Sequence, residues 1–297
     1  MSETTYNYST SILTCPICEC SGDIKIRHTK NGYNIYRCDD CKLLFVHPRP
    51  STHDLLEVYD ESYFKRGNKY KAIHDPRQRN NYSYNDEQKI NIIKKYHKSG
   101  KLLDVGCAMG DFLYHAKQEA FDVMGVEISS YCTNYVRDKL GINVHNGDLL
   151  SARLPSNAYD VVTLWDVIEH LENPFATLNE INRILRPGGI LCLSTGDAGS
   201  LYARIMGRFW HLLTPPQHLF YFNPENIGKI LNRSGFVVNT VIHSGKYATV
   251  DFILFKARET FGAVVRPFQV IAGLLGLGTT RLYVNIQDIM TCVAEKR

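Results

Sequence analysis

The sequence predicts an α/β protein with a doubly wound parallel sheet and a small metal-binding ribbon near its N-terminus. From Lys101 onward, short apolar stretches alternate with amphipathic ones, and this alternation is typical of a parallel sheet covered by helices on both faces. Upstream, two Cys-x-x-Cys pairs are separated by 19 residues, which is a spacing of metal ligands. The chain of 297 residues is long enough for one large domain and a small appendage.

The composition narrows the class of protein. The net charge of +4, from 34 basic and 30 acidic residues, is too small to indicate a polyanionic partner and argues against nucleic acid. No stretch approaches the roughly 18 apolar residues of a membrane span, and the first residues lack the basic start and apolar core of a signal peptide. Nine cysteines without a secretory signal indicate a reducing compartment. We therefore expect a cytoplasmic protein, monomeric or homodimeric.

The first segment, residues 1–50, is predicted to be a zinc ribbon. Each Cys-x-x-Cys turn points two thiolates at one place, and two such turns complete a tetrahedron around Zn²⁺. Between them, apolar residues alternate as in two short strands, and Asn31-Gly32 is a favourable hairpin turn. Four thiolates leave no open coordination position, so a structural role is expected. The predicted ligands are Cys15, Cys18, Cys38 and Cys41.

A polar segment, residues 51–85, links the ribbon to the large domain, residues 86–297. It is rich in Tyr, Asn and Lys, and its basic run from Lys65 to Arg79 is either a solvated face or part of a cover over a ligand, with Tyr63 and Tyr70 as candidate lining residues. A helix is predicted to begin near Asp86 and to end by Gly100, with Ile90, Ile93 and Tyr96 on one face.

The elements of the large domain follow in order. The predicted strands cover residues 101–106, 121–129, 142–150, 159–170, 190–195, 236–243 and, as the last, 282–296. Helices are predicted over 111–120, 130–140 and 175–185. A further helix begins at Asn223-Pro224, with Asn as its cap and Pro at its first position, and ends at Gly235.

A helical insertion is predicted before the last strand, over about residues 248–278. It is unusually apolar from Val270 to Leu277. Four roles are open: a helix packed on the domain, a lid over an apolar substrate, a dimer contact, or a peripheral membrane contact through residues 252–277.

Acidic residues recur at the ends of the first four strands of the sheet: Asp104, Glu127, Asp148 and Asp166. Because ligands of such sheets lie at the carboxyl ends of the strands, we expect these acids to surround one crevice. Neither a G-x-G-x-x-G turn nor a phosphate-binding loop with its lysine is present, and an aspartate before the glycine turn disfavours phosphate. S-adenosylmethionine fits, since it carries an ammonium, a sulfonium and a ribose diol but no phosphate.

With LLDVGCAMG, GVEIS, NGDLL, DVIEHLENP and LRPGGILCLST in this order, the chain resembles class I S-adenosylmethionine-dependent methyltransferases from about Asp86 to the C-terminus. The resemblance implies a seven-stranded Rossmann-like sheet. It also implies that the glycine turn contacts the methionine and ribose portions, the second acid binds both ribose hydroxyls, the third binds the adenine amine between apolar neighbours, and the first and fourth lie near the ammonium. The expected cofactor-binding residues are Asp104, Gly106, Cys107, Ala108, Gly110, Glu127, Ile128, Asp148, Leu149 and Asp166, with Tyr70 from the linker.

A narrower resemblance covers the whole chain. The ribbon, the domain and the segment PPQHLFYFNPENI together resemble bacterial methyltransferases of sugar and secondary-metabolite pathways. Some of those are sugar C-methyltransferases, in which a Glu-His pair stands where Gln217 and His218 stand here. The resemblance implies O- or C-methylation of a sugar, nucleotide-sugar or secondary-metabolite acceptor.

Three histidines are candidates for the general base, since imidazole titrates near neutral pH. His218 is the first choice, because the capped helix after it anchors its loop at the rim of the expected site. His170 comes second, four residues after Asp166 and so on the same side. His211 is a weaker third.

Two alternatives to a small-molecule methyltransferase stay open. The ribbon could read a protein or nucleic acid substrate, in which case binding would be sensitive to salt. The fold could also only sense its cofactor, without turnover. The complete set of acids and the histidine-bearing loop favour an enzyme.

Overall fold

Strands and helices alternate through the two ranges that the computed structural model describes, residues 13–50 and 76–297. The strands are β1 (Ile24–Lys30), β2 (Tyr33–Cys38), β3 (Leu44–Val46), β4 (Gly100–Val105), β5 (Phe121–Glu127), β6 (Asn143–Asn146), β7 (Tyr159–Trp165), β8 (Leu185–Gly196), β9 (Phe220–Tyr221), β10 (Phe236–His243), β11 (Lys246–Thr249), β12 (Arg281–Val284) and β13 (Ile289–Lys296). The α-helices are α1 (Pro76–Lys94), α2 (Asp111–Gln118), α3 (Ser130–Tyr135), α4 (Pro174–Ile184), α5 (Leu201–Met206), α6 (Pro224–Arg233), α7 (Val250–Phe261) and α8 (Arg266–Leu274).

A seven-stranded sheet forms the centre of the large domain, in the order β10-β13-β8-β7-β4-β5-β6. Strands β6, β5, β4, β7 and β8 pair in parallel, and β13 runs antiparallel to both of its neighbours. The chain first winds from β4 towards β6 and then returns to place β7 on the other side of β4. Ligands bind at such a switch point. The predicted fold class is confirmed, with β13 as the antiparallel exception.

Helices cover both faces of this sheet. Leu102 and Leu103 are neighbours on β4 and both are fully buried, but they point to opposite faces. Leu102 belongs to a cluster with Ile90 of α1 and Leu113 of α2, and Leu103 belongs to a cluster with residues of α4 and α6. Burial on both faces explains why the strands are continuous apolar runs in the sequence.

Two predicted elements differ from the structure. Helix α1 begins at Pro76 and ends at Lys94, so its predicted start near Asp86 was wrong, whereas its predicted end by Gly100 is confirmed. The polar first half of the helix has no apolar periodicity that would reveal its start. Ile90 and Ile93 are buried as predicted, but Tyr96 follows the helix and is 38% exposed. Smaller shifts are that β6 and β7 end earlier and β8 begins earlier than predicted.

The predicted last strand, 282–296, is two strands. β12 pairs with β11 in a separate two-stranded sheet, and only β13 joins the central sheet. Helices α7 and α8, which form the predicted insertion, therefore lie in the chain between the two paired strands β11 and β12. None of the helices in the described ranges has the length and apolar character needed to span a membrane.

The ribbon contains the predicted hairpin. β1 and β2 pair antiparallel around Asn31-Gly32, and β3 pairs with β2. A fourth strand, β9, comes from the large domain and pairs with β3, which makes one sheet in the order β1-β2-β3-β9. The ribbon and the large domain therefore share a sheet, which the sequence did not reveal.

Candidate active site

A pocket opens at the carboxyl ends of β4, β5 and β7, at the switch point of the sheet. Nine of the predicted cofactor residues line it: Asp104, Gly106, Cys107, Ala108, Glu127, Ile128, Asp148, Leu149 and Asp166. Gly110 is not among the lining residues, and Tyr63 and Tyr70 lie outside the described residues. The structure thus brings the predicted residues together, and their contacts with a cofactor remain a prediction.

The turn after β4 places alternate residues in the left-handed region, with φ of +74° at Gly106, +47° at Ala108 and +77° at Gly110. A Cβ at Gly106 would lie 2.6 Å from a methyl carbon of Val167, so both space and conformation require glycine there. A Cβ on Gly110 would come within 2.9 Å of the side chains of Val136 and Leu140, in the helical turn after α3, which gives Gly110 a structural role. Ala108 adopts a conformation that glycine would adopt without strain.

Glu127 is held by the glycine turn. Its Oε2 accepts the backbone N–H of Ala108 at 2.9 Å and its Oε1 accepts that of Ser129 at 2.8 Å. Burial raises the pKa of this carboxyl group, and the backbone hydrogen bonds oppose the rise. Each oxygen keeps a second lone pair, so the carboxylate can still accept two hydroxyl hydrogen bonds from a ribose.

Asp104 lies at the bottom of the pocket and is 3% exposed. Its Oδ1 accepts the hydroxyl of Thr163 at 2.6 Å. Burial raises its pKa to about 7, and the charges of Asp86 and Glu127 add to the rise. A ligand that carries positive charge would favour the ionised form. The pocket therefore fits the ammonium and sulfonium of S-adenosylmethionine better than it fits phosphate.

Helix α1 contributes pocket residues that the sequence analysis missed. Lys89 forms an ion pair with the buried Asp86, with an N–O distance of 3.0 Å. Its ammonium also lies 5.1 Å from the ring centre of Trp165 and 5.5 Å from that of Phe112. The buried indole N–H of Trp165 has no hydrogen-bond partner within the described part of the chain. No motif signals these residues, because only packing brings α1 against β4 and β7.

The third and fourth acids lie at the rim. Asp148 is exposed and its Oδ1 accepts the backbone N–H of Ser151 at 2.6 Å. Asp166 has φ of +57°, accepts the hydroxyl of Ser194 at 2.7 Å and pairs with Lys246 of β11 at 3.0 Å. Lys246, in the strand that leads into the helical insertion, therefore contacts a residue of the pocket.

Two of the three predicted histidines meet. The rings of His170 and His218 have centres 4.6 Å apart and are nearly perpendicular. Nδ1 of His170 lies 2.6 Å from the carbonyl oxygen of Gln217, and His170 also lines the pocket. A carbonyl can only accept, so Nδ1 carries the hydrogen and the lone pair of the neutral ring is on Nε2.

His211 lies apart from this pair. Its Nδ1 is 3.5 Å from a carboxylate oxygen of Asp288, its ring packs near Tyr202, and burial lowers its pKa. It is not one of the pocket-lining residues in the part of the chain that the structure describes. Its predicted catalytic role thus gains no support from the geometry.

Glu169 was passed over in the sequence analysis but lies beside the histidine pair. It is 4% exposed, and its Oε2 has no hydrogen-bond partner among the described residues. Burial, with the charge of Asp166 nearby, raises its pKa to about 8. The only sequence signal was its position directly before His170.

The four ribbon cysteines form a cluster in which all sulfur atoms lie within 4.8 Å of one another. The sulfurs of Cys15 and Cys41 are 3.6 Å apart, and so are those of Cys18 and Cys38. Tetrahedral Zn²⁺ with Zn–S bonds of about 2.3 Å places its sulfurs about 3.8 Å apart, whereas a disulfide requires about 2.05 Å. The donor set and its spacing therefore fit zinc.

The ribbon contacts the loop that carries His218. The backbone N–H of Val46 donates to the carbonyl of Leu219 at 2.9 Å, directly before β9 begins. Asn226 of α6 donates to the carbonyl of Cys41 at 3.3 Å, and Asn31 donates to the carbonyl of Pro215 at 2.9 Å. On the other side of the loop, the N–H of Leu219 donates to the carbonyl of Glu169 at 2.8 Å. The His218 loop is thus held between the ribbon and the turn that carries Glu169.

A Rossmann-like seven-stranded sheet with buried acids at the carboxyl ends of its first strands defines a class I S-adenosylmethionine-dependent methyltransferase. A family model described as a methyltransferase domain matches residues 55–241, more than half of the chain. The chain belongs to this methyltransferase domain family.

Relatives and solved structures agree with this family. The chain is 35% identical over 109 residues to a demethylmenaquinone methyltransferase of Staphylococcus saprophyticus, a match over 34% of this chain and 47% of that protein. It is 24% identical over 201 residues to a ubiquinone biosynthesis O-methyltransferase of Pseudomonas fluorescens, covering 63% of this chain and 83% of that protein. The fold resembles an S-adenosylmethionine-dependent methyltransferase of Archaeoglobus fulgidus, with a TM-score of 0.50, 21% identity and coverage of 72% and 94%. The chain spans about half the length of the first of these curated relatives.

Proposed function

We propose that the protein transfers a methyl group from S-adenosylmethionine to a hydroxyl oxygen or an acidic carbon of a small molecule. The observation that carries this proposal is the meeting of two sets of residues in one place: the buried acids of the pocket and the His170–His218 pair at its edge. The relatives named for ubiquinone biosynthesis and demethylmenaquinone support a small acceptor. The narrower acceptor class, a sugar, nucleotide-sugar or secondary metabolite, rests on the resemblance of the sequence.

Residues of the pocket would hold the cofactor from three sides. Glu127 binds the two ribose hydroxyls, Asp148 the adenine amine, and Asp104 the ammonium of the methionine portion. Lys89 supplies a cation for the methionine carboxylate, since its ammonium lies in the same pocket beside Trp165. When bound, S-adenosylmethionine supplies a methyl carbon whose bond to sulfur breaks as its bond to the acceptor forms, and the electron pair left on sulfur neutralises the sulfonium.

The chain's own contribution to the reaction is alignment and acceptance of a proton. Alignment of the reacting atoms supplies several kcal/mol in model systems, about 7–11 at best. The acceptor proton leaves at the imidazole pair, with His218 as the predicted general base and a gain of roughly 10²–10⁴ in rate.

We also propose that the ribbon binds one structural Zn²⁺ through Cys15, Cys18, Cys38 and Cys41. Its contacts with β9 and the His218 loop support a role in holding that loop. They do not favour a reader of protein or nucleic acid, because one edge of the ribbon sheet is already paired with the large domain.

A binding and turnover experiment tests the proposal. The zinc-loaded full chain is titrated calorimetrically with S-adenosylhomocysteine, and release of S-adenosylhomocysteine is then measured with a panel of hydroxylated small molecules. We expect binding by the wild type and at least tenfold weaker binding by Glu127→Gln, because the amide cannot accept two pairs of hydrogen bonds as the carboxylate does. Failure of the wild type to bind the ligand would refute the proposal. Binding without turnover for any acceptor would favour the cofactor-sensing alternative.

A further inference from the structure

We propose that Glu169, His170 and His218 form a binding site for a divalent cation such as Mn²⁺ at the edge of the cofactor pocket. The cation would hold the hydroxyl oxygen of the acceptor, so this inference rests on the proposed function and narrows its acceptor to a hydroxyl compound.

The three side chains lie close enough together to share one cation. One potential ligand atom from each of the three side chains lies within 4.8 Å of the other two. Bonds of about 2.0–2.2 Å to a shared cation place neighbouring ligand atoms roughly 3–4 Å apart, which small side-chain rotations can reach. The backbone is already fixed there, because Glu169 and His170 share one 3-10 turn and Leu219, next to His218, donates to the carbonyl of Glu169.

The three side chains offer a set of donor atoms that suits a divalent cation. Two imidazole nitrogens and one carboxylate oxygen form a ligand triad that leaves coordination positions open for a substrate. Nδ1 of His170 donates to the carbonyl of Gln217, so Nε2 is the nitrogen whose lone pair can bind a cation. A ligating histidine usually has this arrangement, since the second nitrogen is oriented by a carbonyl or carboxylate.

One carboxyl oxygen of Glu169, Oε2, lacks a hydrogen-bond partner among the described residues. Thr195 hydrogen-bonds the carboxyl group, but Oε2 is buried without a hydrogen-bond partner in the described ranges. A buried polar atom in this state is unfavourable and requires an explanation. A cation bound by Oε2 supplies the missing interaction, whereas a purely structural role leaves it unmade.

The location gives the cation a function. His170 lines the cofactor pocket together with Asp166 and Val167, so a cation bound to it would lie at the wall of that pocket, within reach of an acceptor bound there. A bound cation lowers the pKa of a coordinated hydroxyl and fixes its oxygen for in-line attack. In the loaded protein, His218 therefore acts through the cation, and in the cation-free protein the same imidazole is the predicted base.

The ribbon does not compete for this ion. Its four thiolates favour Zn²⁺, whereas two imidazoles and a carboxylate can bind either Mn²⁺ or Zn²⁺. The protein is therefore loaded with one equivalent of zinc, which the cysteines hold, and is then titrated with Mn²⁺, so that the two sites can be counted separately.

The test is a titration of the zinc-loaded full chain with MnCl₂, followed by the loss of the electron paramagnetic resonance signal of free Mn²⁺. We expect one equivalent to bind the wild type, and Glu169→Gln and His218→Asn each to weaken binding at least tenfold. The matched control is His145→Ala, which removes a half-buried imidazole on β6 and should leave Mn²⁺ binding unchanged.

Calorimetry with S-adenosylhomocysteine on the same samples separates the possible failures. If the wild type binds S-adenosylhomocysteine but not Mn²⁺, or if the variants bind Mn²⁺ as the wild type does, the cation site is overturned and the proposed function stands. If S-adenosylhomocysteine does not bind, the proposed function fails first. The titration of the wild type alone can refute the cation site, so the test does not depend on whether every variant folds.

Discussion

Replacement of Asp104 by Asn tests the electrostatics of the pocket. Asp104 is buried at its bottom, and its pKa is raised from 3.8 to about 7. The folded protein therefore retains a proton that the unfolded chain has already released. The stability that comes from this proton is fully present below pH 3.8 and is lost as the pH rises through 7. Asn removes this dependence and can still accept the hydroxyl hydrogen bond of Thr163.

The magnitude follows from the two pKa values of the same carboxyl group. At 1.36 kcal/mol for each pH unit between them, the raised pKa of Asp104 lowers the free energy of unfolding of the cofactor-free protein, relative to its value below pH 3.8, by about 4 kcal/mol at pH 8 and by about 2 kcal/mol at pH 5. We expect Asp104→Asn to increase the free energy of unfolding, and the increase to be about 2 kcal/mol larger at pH 8 than at pH 5.

Urea unfolding of the zinc-loaded, cofactor-free protein at the two pH values measures this difference. The control is Asp148→Asn, which changes an exposed carboxylate at a neighbouring strand end and should not reproduce the pH-dependent gain. Asp104→Asn should also bind S-adenosylhomocysteine at least tenfold more weakly than the wild type, because the amide side chain cannot form an ion pair with the ammonium of the ligand. Equal pH dependence in wild type and Asp104→Asn would refute the reasoning.

Three further predictions concern the turn, the base and the ribbon. Ala108→Gly should change the affinity for S-adenosylhomocysteine by no more than about threefold and the free energy of unfolding by no more than about 1 kcal/mol. Glycine relieves the strain of the left-handed φ, but its greater conformational entropy in the unfolded chain offsets that gain. A tenfold change in the calorimetric Kd would contradict this. His218→Ala should keep S-adenosylhomocysteine affinity and lower kcat with the true acceptor about 10²-fold or more, and unchanged turnover would discard the assignment. Removal of zinc by a chelator should speed hydrogen exchange at the amide of Tyr221, since this N–H faces β3 where β9 pairs with the ribbon. Mass spectrometry can follow the exchange, and unaltered exchange would mean that the ribbon does not hold this loop.

Much of the fold could be predicted because its signals are local. Each buried strand is an apolar run bounded by a turn. The spacing within each Cys-x-x-Cys turn is enough to predict that its two thiolates point at one metal ion. The start of α1 and the division of the last strand could not be predicted. A polar helix has no apolar stripe, and the segment from β12 to β13 reads as one strand although only β13 has a place in the central sheet.

The same distinction applies to the candidate site. The acids at the strand ends were predicted, because the carboxyl ends of parallel strands must meet at one edge. Lys89 could not be predicted, since nothing near it in sequence indicates that α1 packs against the pocket beside Trp165.

The sequence by itself determined the class of fold, the four clustered cysteines and the order of acids around the pocket, because periodicity and spacing act over a few residues. Only the tertiary structure decided which distant groups meet. It brought Glu169 and His170 to His218, paired the ribbon with β9, and left Oε2 of Glu169 buried without a hydrogen-bond partner among the described residues. The physical reason is that long-range backbone pairing and burial create these contacts, and no local pattern encodes them.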